Sequence, residues 1–570
     1  MKSLTGVIAS LAVITILAPQ ARAITQEEIR QAIESGVDQL IVRQAEDGHW
    51  PYSPVVQNGV TSDEYALGAT ALVVLALQHS TLPKAQPAIQ KGLSFILQHP
   101  PETVTYTSGL IPQVLYKADP EKFRDMIGAY AWMLAKSQKT EGPQLGSWTY
   151  NLVEFPKVAD QRRLRQNPTP PAGRSDNSNS QFAILGLAYA QKAGYQIPIE
   201  VWLRARDYYM GAQHQDGGWD YLSDAYRRAF PSPQDEPNPA ATPSMTLAGT
   251  VSIYLMEEML ADKSHRQCTP PPISKSHEAG LKWIADNWTT GLAPYGWYAC
   301  ERLGILTGYS EFGGHDWYEE GAIRLASGKA PATWHGQTAD LAFTVLFLSR
   351  GLEPVIINKL KRTGDWNNHR YDIAHLTEYL SSKFQYGKQW RIVTLDASVD
   401  MLLKVPILWI SGHEALQFAD GDKQKLKEYV DRGGTILAEA CCSKRAFDKS
   451  FRALTAELWP DGQLLALPKS HPIYVNPRPL RSRPALEGLA LTQGEGRLGV
   501  IYIPYGISCR WETGGPKATA DFDLGANIYF YVDKIGRGLS RGEPVQPRQE
   551  PPPEPDEMGD PPDESGGAEE

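Results

Sequence analysis

This sequence of 570 residues has no excess of basic residues, few cysteines and no long apolar run in the body of the chain. It has 56 Lys and Arg against 65 Asp and Glu, whereas nucleic-acid binding needs a basic surface that neutralises phosphates. A nucleic-acid partner is therefore excluded. The five cysteines are too few for a fold built on disulfides. No segment after the first 23 residues has the roughly 18 apolar residues of a membrane helix, which predicts a mature chain without one.

The first 23 residues have the pattern of a secretory signal peptide. Lys2 precedes an apolar run at residues 4–18, and Ala21-Arg22-Ala23 provides the small residues of a cleavage site. The pattern predicts a mature chain that begins at Ile24 and is exported to the periplasm or cell envelope. An uncleaved N-terminal anchor is the alternative interpretation.

The opposite end of the chain carries most of the net charge of −9. Residues 541–570 contain ten acidic and two basic residues, eight prolines and almost no large apolar side chains. Such a segment cannot bury enough apolar surface to fold by itself, so we expect a disordered acidic tail. The remainder of the chain is nearly neutral.

Residues 24–351 repeat one pattern about six times: an amphipathic helix, a turn with Gly and Trp, and a helix that is apolar on nearly every side. In the first pair, Ile29, Ile33, Val37 and Leu40 have the spacing of one buried helix face. The partner at residues 69–77 has no broad polar face, which is typical of a buried helix. The Trp turns lie at residues 47–50, 146–148, 216–219, 295–297 and 332–334. Two layers of six helices would close into an all-α toroid.

The turns at residues 44–50 and 213–219 resemble the Q-x-x-D-G-x-W turn of the prenyltransferase and squalene oxidase repeat. This repeat builds the α/α toroids of terpenoid cyclases and protein prenyltransferases, and the resemblance covers residues 24–351. Squalene-type cyclases protonate an alkene with a D-x-D-D motif, which this sequence lacks. Its nearest counterparts are Asp63-Glu64 and residues 216–220, and we interpret these carboxylates as caps of helix N-termini.

The zinc set of protein prenyltransferases is also incomplete. That resemblance implies an Asp, a Cys two residues later and a distant His, which hold Zn²⁺ and create a thiolate. Here Tyr298 stands in the position of the Asp before Cys300, and His335 is the candidate third ligand. We therefore expect a packed Cys300, no metal and no cofactor. An apolar, aromatic-lined cavity in the toroid could still bind a small molecule, a lipid or a peptide.

In residues 352–540 the sequence pattern differs and predicts strands that alternate with helices. Runs typical of strands occur at residues 391–395, 406–410, 435–437 and 498–503, and helical patterns at residues 373–382, 423–431 and 448–458. The alternation predicts a doubly wound α/β domain with a mostly parallel sheet. This part resembles the bacterial domain of unknown function 4159, which is similar in plan to flavodoxin-like and class I glutamine-amidotransferase-like folds. The resemblance rests on Asp365-Trp366-Asn367, Ser411-Gly412-His413, Arg432-Gly433-Gly434, His471-Pro472-Ile473-Tyr474 and Gly496-Arg497.

Ligands of doubly wound sheets bind beyond the carboxyl ends of the strands. This rule selects His413 after residues 406–410, and Glu439, Cys441 and Cys442 after residues 435–437. We expect His471 and Arg497 to join them from later parts of the chain. Together these residues could supply a nucleophile, a base and an orienting acid. Ala440-Cys441-Cys442-Ser443 lacks the flanking glycine of an amidotransferase elbow, so a disulfide between the neighbouring cysteines, a metal site and simple packing are the alternatives.

The missing cyclase acid and the incomplete zinc set favour a non-catalytic binding or scaffold protein of the cell envelope, with another envelope protein as a candidate partner. The alternative is a hydrolase or amidotransferase-like enzyme that uses the α/β domain, with an amide as substrate. A terpene cyclase with an unrecognised acid is a further alternative.

Overall fold

The computed structural model describes residues 24–51, 65–156, 163–232, 239–261, 273–331, 336–384, 387–490 and 497–538. The signal-like segment, Asp63, Glu64, His335 and the acidic tail lie outside the described residues. What the sequence predicts for them stays a prediction.

The described residues up to Gly351 form thirteen α-helices and one short hairpin. The helices are α1 (Gln26–Val42), α2 (Ala66–Ser80), α3 (Gln86–Gln98), α4 (Thr105–Ala118), α5 (Arg124–Ser137), α6 (Asn177–Lys192), α7 (Ile199–Ala212), α8 (Asp224–Ala229), α9 (Pro243–Leu260), α10 (Lys275–Asp286), α11 (Pro294–Thr307), α12 (Trp317–Ala326) and α13 (Gly336–Gly351). The hairpin pairs β1 (Glu311–Phe312) with β2 (His315–Asp316). The prediction of a helical N-terminal region is confirmed.

Six of these helices contact one another in a closed order, which we call the helix ring. Helices α2, α4, α6, α9, α11 and α13 each pack against the next, and α13 packs against α2. They are buried around most of their circumference, and every residue of α2 from 69 to 77 is buried. A helix without a polar face is stable only when other helices cover it on all sides, which the ring provides.

Helices α1, α3, α5, α7, α10 and α12 pack on the helix ring and keep an exposed face. Helix α1 buries Ile29, Ile33, Val37 and Leu40, the four positions that the sequence spacing selects. Its capping box between Thr25 and Glu28 fixes where the helix begins.

Three of the predicted Trp turns share one set of hydrogen bonds. The turn predicted at residues 295–297 is wrong, because these residues lie within α11, and residues 332–334 lie outside the described part of the chain. In the turn after α7, the Gln213 side chain donates to the Gly217 carbonyl at 2.8 Å, and Gly217 has a φ of +94° that favours glycine. The Trp219 backbone N–H donates to Thr246 Oγ1 at 3.0 Å, and its indole N–H donates to the Tyr209 carbonyl at 2.9 Å. The same pattern recurs with Gln44, Gly48, Trp50 and Thr70, and with Gln138, Gly146, Trp148 and Ser180.

The centre of the helix ring is filled by side chains at the level of Arg302. This residue of α11 donates to Gln113 of α4 at 2.7 Å and to Tyr189 of α6 at 3.0 Å. Helices α4 and α11 lie three places apart in the closed order of six, so the bond between Arg302 and Gln113 crosses the ring. Phe182 of α6 also stacks on Tyr298 of α11, with ring centroids 6.3 Å apart. These contacts cross the ring at one level, and a ligand in a toroid cavity stays a prediction.

The C-terminal domain contains, among the described residues, one sheet of seven strands. They are β3 (Val355–Leu360), β4 (Gln389–Val393), β5 (Ile407–Gly412), β6 (Thr435–Ala440), β7 (Leu465–Ala466), β8 (Glu487–Ala490) and β9 (Leu498–Ile503). Their order is β4-β3-β5-β6-β9-β8-β7. The first five in this order are parallel, β8 pairs antiparallel with β9, and β7 pairs antiparallel with β8. This confirms the predicted mostly parallel sheet.

Helices cover both faces of the sheet. They are α14 (Asp372–Phe384), α15 (Val399–Leu402), α16 (Asp420–Asp431), α17 (Arg445–Leu458), α18 (Ser508–Thr513) and α19 (Thr519–Gly538). One apolar core lies under α14, α18 and α19, and a second lies under α15, α16 and α17. Among the helices that the structure describes, none combines the length and the apolar character needed to cross a membrane.

We expect Trp219→Ala to lower the free energy of unfolding by about 3–5 kcal/mol, because the fully buried indole leaves a cavity in a packed layer. Denaturant unfolding followed by circular dichroism measures the loss. Val42→Ala is the control, since the Val42 side chain is 85% exposed, and it should change stability by less than about 0.5 kcal/mol. A loss below about 1 kcal/mol for Trp219→Ala would show that this turn does not anchor the layer.

Candidate functional site

Polar side chains gather where the four central parallel strands end. Loops follow β3, β5, β6 and β9 at one edge of the sheet, because parallel strands have their carboxyl ends on the same side. The loop after β3 spans residues 361–371, and we call it the ligand arm. It brings Asp365 and His369 to the edge, where they meet His413 after β5, Cys441 after β6 and Cys509 after β9.

Two thiols lie against one imidazole nitrogen. His369 Nε2 is 3.4 Å from Cys441 Sγ and 3.3 Å from Cys509 Sγ. All three ligand atoms lie within 4.8 Å of one another. Cys441 and His369 are buried and Cys509 is partly exposed, so the group lies just beneath the surface. We call these three residues the thiol–imidazole cluster.

The surroundings shift the pKa values of His369 and Cys441 in the cluster and of Glu439 beside it. Burial lowers the pKa of His369, but the hydrogen bond and charge interaction with Cys509 outweigh it and raise that pKa above its ordinary value. The contact with Cys509, together with burial, raises the pKa of the Cys441 thiol. Burial also raises the pKa of Glu439 to about 8, although Ser508 donates to this carboxyl group at 2.7 Å from Oγ and 3.1 Å from the backbone N–H.

His413 stands beside the cluster and is oriented by Asp365. Its Nδ1 lies 3.3 Å from Asp365 Oδ2, and its backbone N–H donates to the same oxygen. Asn368 of the ligand arm also donates to this carboxylate, at 3.1 Å. The buried Nε2 of His413 has no hydrogen-bond partner among the described residues. A ring nitrogen of His413 and the sulfur atoms of Cys441 and Cys442 lie within 4.8 Å of one another.

Cys442 differs from its neighbour. It is in a disulfide bond, whereas Cys441 is a thiol with its Sγ 3.9 Å from Cys442 Sγ. The idea of a disulfide between these two cysteines is therefore wrong. Cys442 has a left-handed φ of 53°, which turns the chain away directly after the strand. A Cβ on Gly506 would lie 2.9 Å from the Cys442 nitrogen and 3.2 Å from Cys509 Sγ, so only glycine fits beside both residues.

The structure thus brings together His413, Glu439 and Cys441, and it separates Arg497 from them. Arg497 precedes β9 and donates to the carbonyls of Val430 and Gly434, where α16 ends. A residue before a parallel strand lies at the amino edge of the sheet, opposite the cluster, so the prediction for Arg497 is wrong.

His471 also makes its described contacts elsewhere. Its ring packs on Tyr531 of α19, with centroids 5.0 Å apart, and its Nδ1 accepts from the Ile473 N–H at 3.3 Å. The reason is local: His471 caps the 3₁₀ turn Pro472–Tyr474 instead of extending to the strand ends. The structure therefore does not join it to His413, Glu439 and Cys441.

Sequence reasoning missed His369, Cys509 and the role of Asp365. These residues could have been selected only by their position after a strand: Asp365 and His369 follow β3, and Cys509 follows β9. Asp365 belongs to a motif on which the family resemblance rests, but that motif gave no indication of its bond to His413. Cys509 lies six residues beyond Ile503, the last residue of β9.

The motifs of the helical region have structural partners. Cys300 is fully buried, and burial raises the pKa of its thiol. Asp216 accepts from the Gly218 N–H and from the indole of Trp283, both at 3.0 Å, so it stabilises the turn. Asp220 pairs with Arg227. Neither carboxylate caps a helix, which corrects that prediction; the cap of α9 is Thr242.

Comparison with known proteins identifies part of the chain. Residues 356–532 match the family model described as "Domain of unknown function (DUF4159)", which confirms that resemblance. No curated protein matches the chain. The likeness to glutamine amidotransferases stays a prediction.

Solved structures of one terpene cyclase are similar to part of the chain. The type II terpene cyclase MstE from Scytonema in its apo form is 12% identical with a TM-score of 0.33, and the alignment covers 57% of this chain and 99% of that one. A variant of MstE in complex with geranylgeranyl dihydroxybenzoate is 13% identical with a TM-score of 0.32, covering 57% and 96%.

We expect iodoacetamide to modify Cys509 before Cys441 and Cys300, because Cys509, unlike these two buried cysteines, combines partial exposure with an adjacent imidazole. His369→Ala should slow the modification of Cys509 by about tenfold, since the imidazole no longer favours the thiolate. Peptide mapping after timed labelling of the metal-free protein measures both rates. His471→Ala is the control and should leave the rate unchanged. Equal labelling of the three cysteines would contradict the geometry.

Proposed function

We propose that this protein is a metal-binding protein whose C-terminal domain holds Zn²⁺ through Cys441, Cys509 and His369. The observation that carries the proposal is the approach of two sulfur atoms to one imidazole nitrogen, at 3.3 and 3.4 Å. A ring nitrogen has either one proton or one lone pair, so it satisfies a single hydrogen bond. A cation at the centre would bind all three atoms.

The distances fit the metal. With Zn–S near 2.3 Å and Zn–N near 2.0–2.1 Å, neighbouring ligand atoms of a tetrahedral site lie roughly 3.5–3.8 Å apart. Two Cys and one His leave a fourth position, and this ligand number is typical of catalytic rather than structural zinc sites. A bound Zn²⁺ would supply a Lewis acid and would lower the pKa of a coordinated water. His413, held by Asp365, stands beside Cys441 as the candidate proton acceptor.

The helical region serves, in this proposal, as an α/α toroid that supports the metal-binding domain. The closed contact order of the six ring helices supports the toroid, and the bond between Arg302 and Gln113 across its centre supports a scaffold role rather than a catalytic one. The division of the chain at residues 351–352 belongs to the same proposal.

The proposed location is outside the cytoplasm. It rests on the signal-like first 23 residues, and the disulfide of Cys442 supports it because such bonds persist in oxidising compartments. Mass spectrometry of the native protein should find a chain that begins at Ile24. An intact Met1 end in a soluble cytoplasmic fraction would contradict this location.

The purified full chain is expected to bind one Zn²⁺. Cys441→Ser, Cys509→Ser and His369→Ala should each weaken binding at least 100-fold, because each removes one of three protein ligands. Cys300→Ser is the control, since Cys300 is buried in the helix ring, and it should keep the affinity of the unchanged protein. Competition with a chromophoric chelator and elemental analysis measure affinity and stoichiometry. Binding that survives loss of any two of the three ligands would refute the proposal.

A second candidate is a cysteine-dependent hydrolase or amidotransferase-like enzyme. The observation that favours it is the contact of the partly exposed Cys509 with His369 Nε2, the arrangement of a thiol nucleophile and its base. The buried Cys441 fits the role of nucleophile less well.

An assay with a panel of esters and amides separates the two candidates. If the metal centre is catalytic, turnover requires Zn²⁺ and is lost in His413→Gln, which keeps the metal because His413 is not one of the three ligands. Turnover that persists in the presence of a chelator and disappears in Cys509→Ser would favour the cysteine enzyme and would reject the metal-dependent one.

A further inference from the structure

The ligand arm is attached to the helical region directly beside His369. Arg370 Nη1 donates to Glu257 Oε2 of helix α9 at 2.8 Å, and both side chains are at most 10% exposed. On the first turn of α14, His375 Nε2 lies 3.1 Å from Glu258 Oε1, also on α9. Two neighbouring carboxylates of one ring helix therefore contact the chain on the C-terminal side of His369.

Glu257 is itself held in place from a second helix. His277 of α10 lies 3.0 Å from Glu257 Oε2 through its Nδ1, and the Ser274 N–H donates to Glu257 Oε1 at 2.9 Å. The carboxylate thus cannot follow Arg370 if the arm moves. It is a fixed point that belongs to the helical region.

The same junction reaches the segment that carries Cys509. The Tyr371 N–H donates to Glu512 Oε2 at 2.6 Å, and His375 Nδ1 lies 2.8 Å from the Trp511 carbonyl oxygen. Glu512 and Trp511 belong to α18, which begins at Ser508 beside Cys509. The ligand arm and α18 are therefore tied to one another at the point where the arm meets α9.

From these contacts we infer that Glu257 and Glu258 are positioning residues for the metal centre, so that the helical region sets the geometry of a site to which it contributes no ligand. This inference rests on the proposed Zn²⁺ function. Residues that hold a metal ligand in place without binding the metal alter its affinity 10- to 100-fold. Here the effect would pass from Glu257 through Arg370 to the adjacent His369.

Another ion pair between the two parts of the chain provides a matched control. Glu378 of α14 accepts from Lys192 of α6 at 2.7 Å and from Tyr116 of α4 at 3.3 Å. This pair joins the helix ring to the C-terminal domain without touching the ligand arm. Glu378→Gln also weakens the junction, but it leaves the contact between Glu257 and Arg370 in place. It is therefore the matched control for Glu257→Gln, whereas the charge of Glu378 also acts on His375, the partner of Glu258.

The test compares Zn²⁺ affinity in the full chain by chelator competition. Glu257→Gln and Glu258→Gln are expected to bind Zn²⁺ about 10- to 100-fold more weakly, and Glu378→Gln within about 2-fold of the unchanged protein. In the Co²⁺-substituted protein, the thiolate-to-cobalt and d–d absorption bands should shift in Glu257→Gln but not in Glu378→Gln. A general loss of stability would not change the spectrum of the bound metal in this selective way.

The outcomes separate this inference from the function on which it rests. If the unchanged protein binds no Zn²⁺, the proposed function fails and the inference fails with it. If it binds Zn²⁺ and Glu257→Gln retains the same affinity and Co²⁺ spectrum, the function stands and the inference is overturned. Should Glu257→Gln not fold, Glu258→Gln decides in the same assay, and an unchanged affinity there would overturn the inference.

Discussion

A buried ion pair between Lys359 and Asp372 closes the base of the ligand arm, and the proposed metal centre depends on the path of that arm. Both side chains are 1% exposed, and Lys359 Nζ lies 2.6 Å from Asp372 Oδ1. The same ammonium group donates to the carbonyl of His369. Removal of one partner from such a pair costs about 3–5 kcal/mol, because the other charge is left buried without compensation. The pair therefore fixes both ends of the arm and the backbone of one ligand.

The same ion pair explains which parts of the fold the sequence could predict. Strands β5, β6 and β9 each contain an apolar run that the sequence analysis recognised as a strand, although β6 continues to Ala440 and so includes Glu439. Strand β3 instead contains Asn358 and Lys359, whose buried positions no local pattern indicates. Because β3 was not predicted, the rule that ligands bind beyond the strand ends could not select His369, which follows that strand. It did select His413, Glu439 and Cys441. The contact between Cys509 and His369 joins residues 140 positions apart, so only the folded chain can show it.

Hydrogen bonds and ion pairs, as well as the continuous backbone, join the helical region to the C-terminal domain. Strand β4 extends its hydrogen bonding to the helical region, since the Ile392 N–H donates to the Gly308 carbonyl at 2.8 Å. Ion pairs between Lys192 and Glu378 and between Arg370 and Glu257 add charges to the same junction. Charged groups are buried only when they are paired, and paired groups tolerate little displacement. A scaffold joined in this way can control a site that it does not line.

X-ray absorption spectroscopy at the zinc edge of the Zn²⁺-loaded full chain would identify the atoms that bind the metal. The proposed ligand set predicts two sulfur scatterers at about 2.3 Å together with nitrogen or oxygen scatterers at about 2.0–2.1 Å. A spectrum that contains only nitrogen and oxygen neighbours would contradict the account, because it would place the metal away from Cys441 and Cys509.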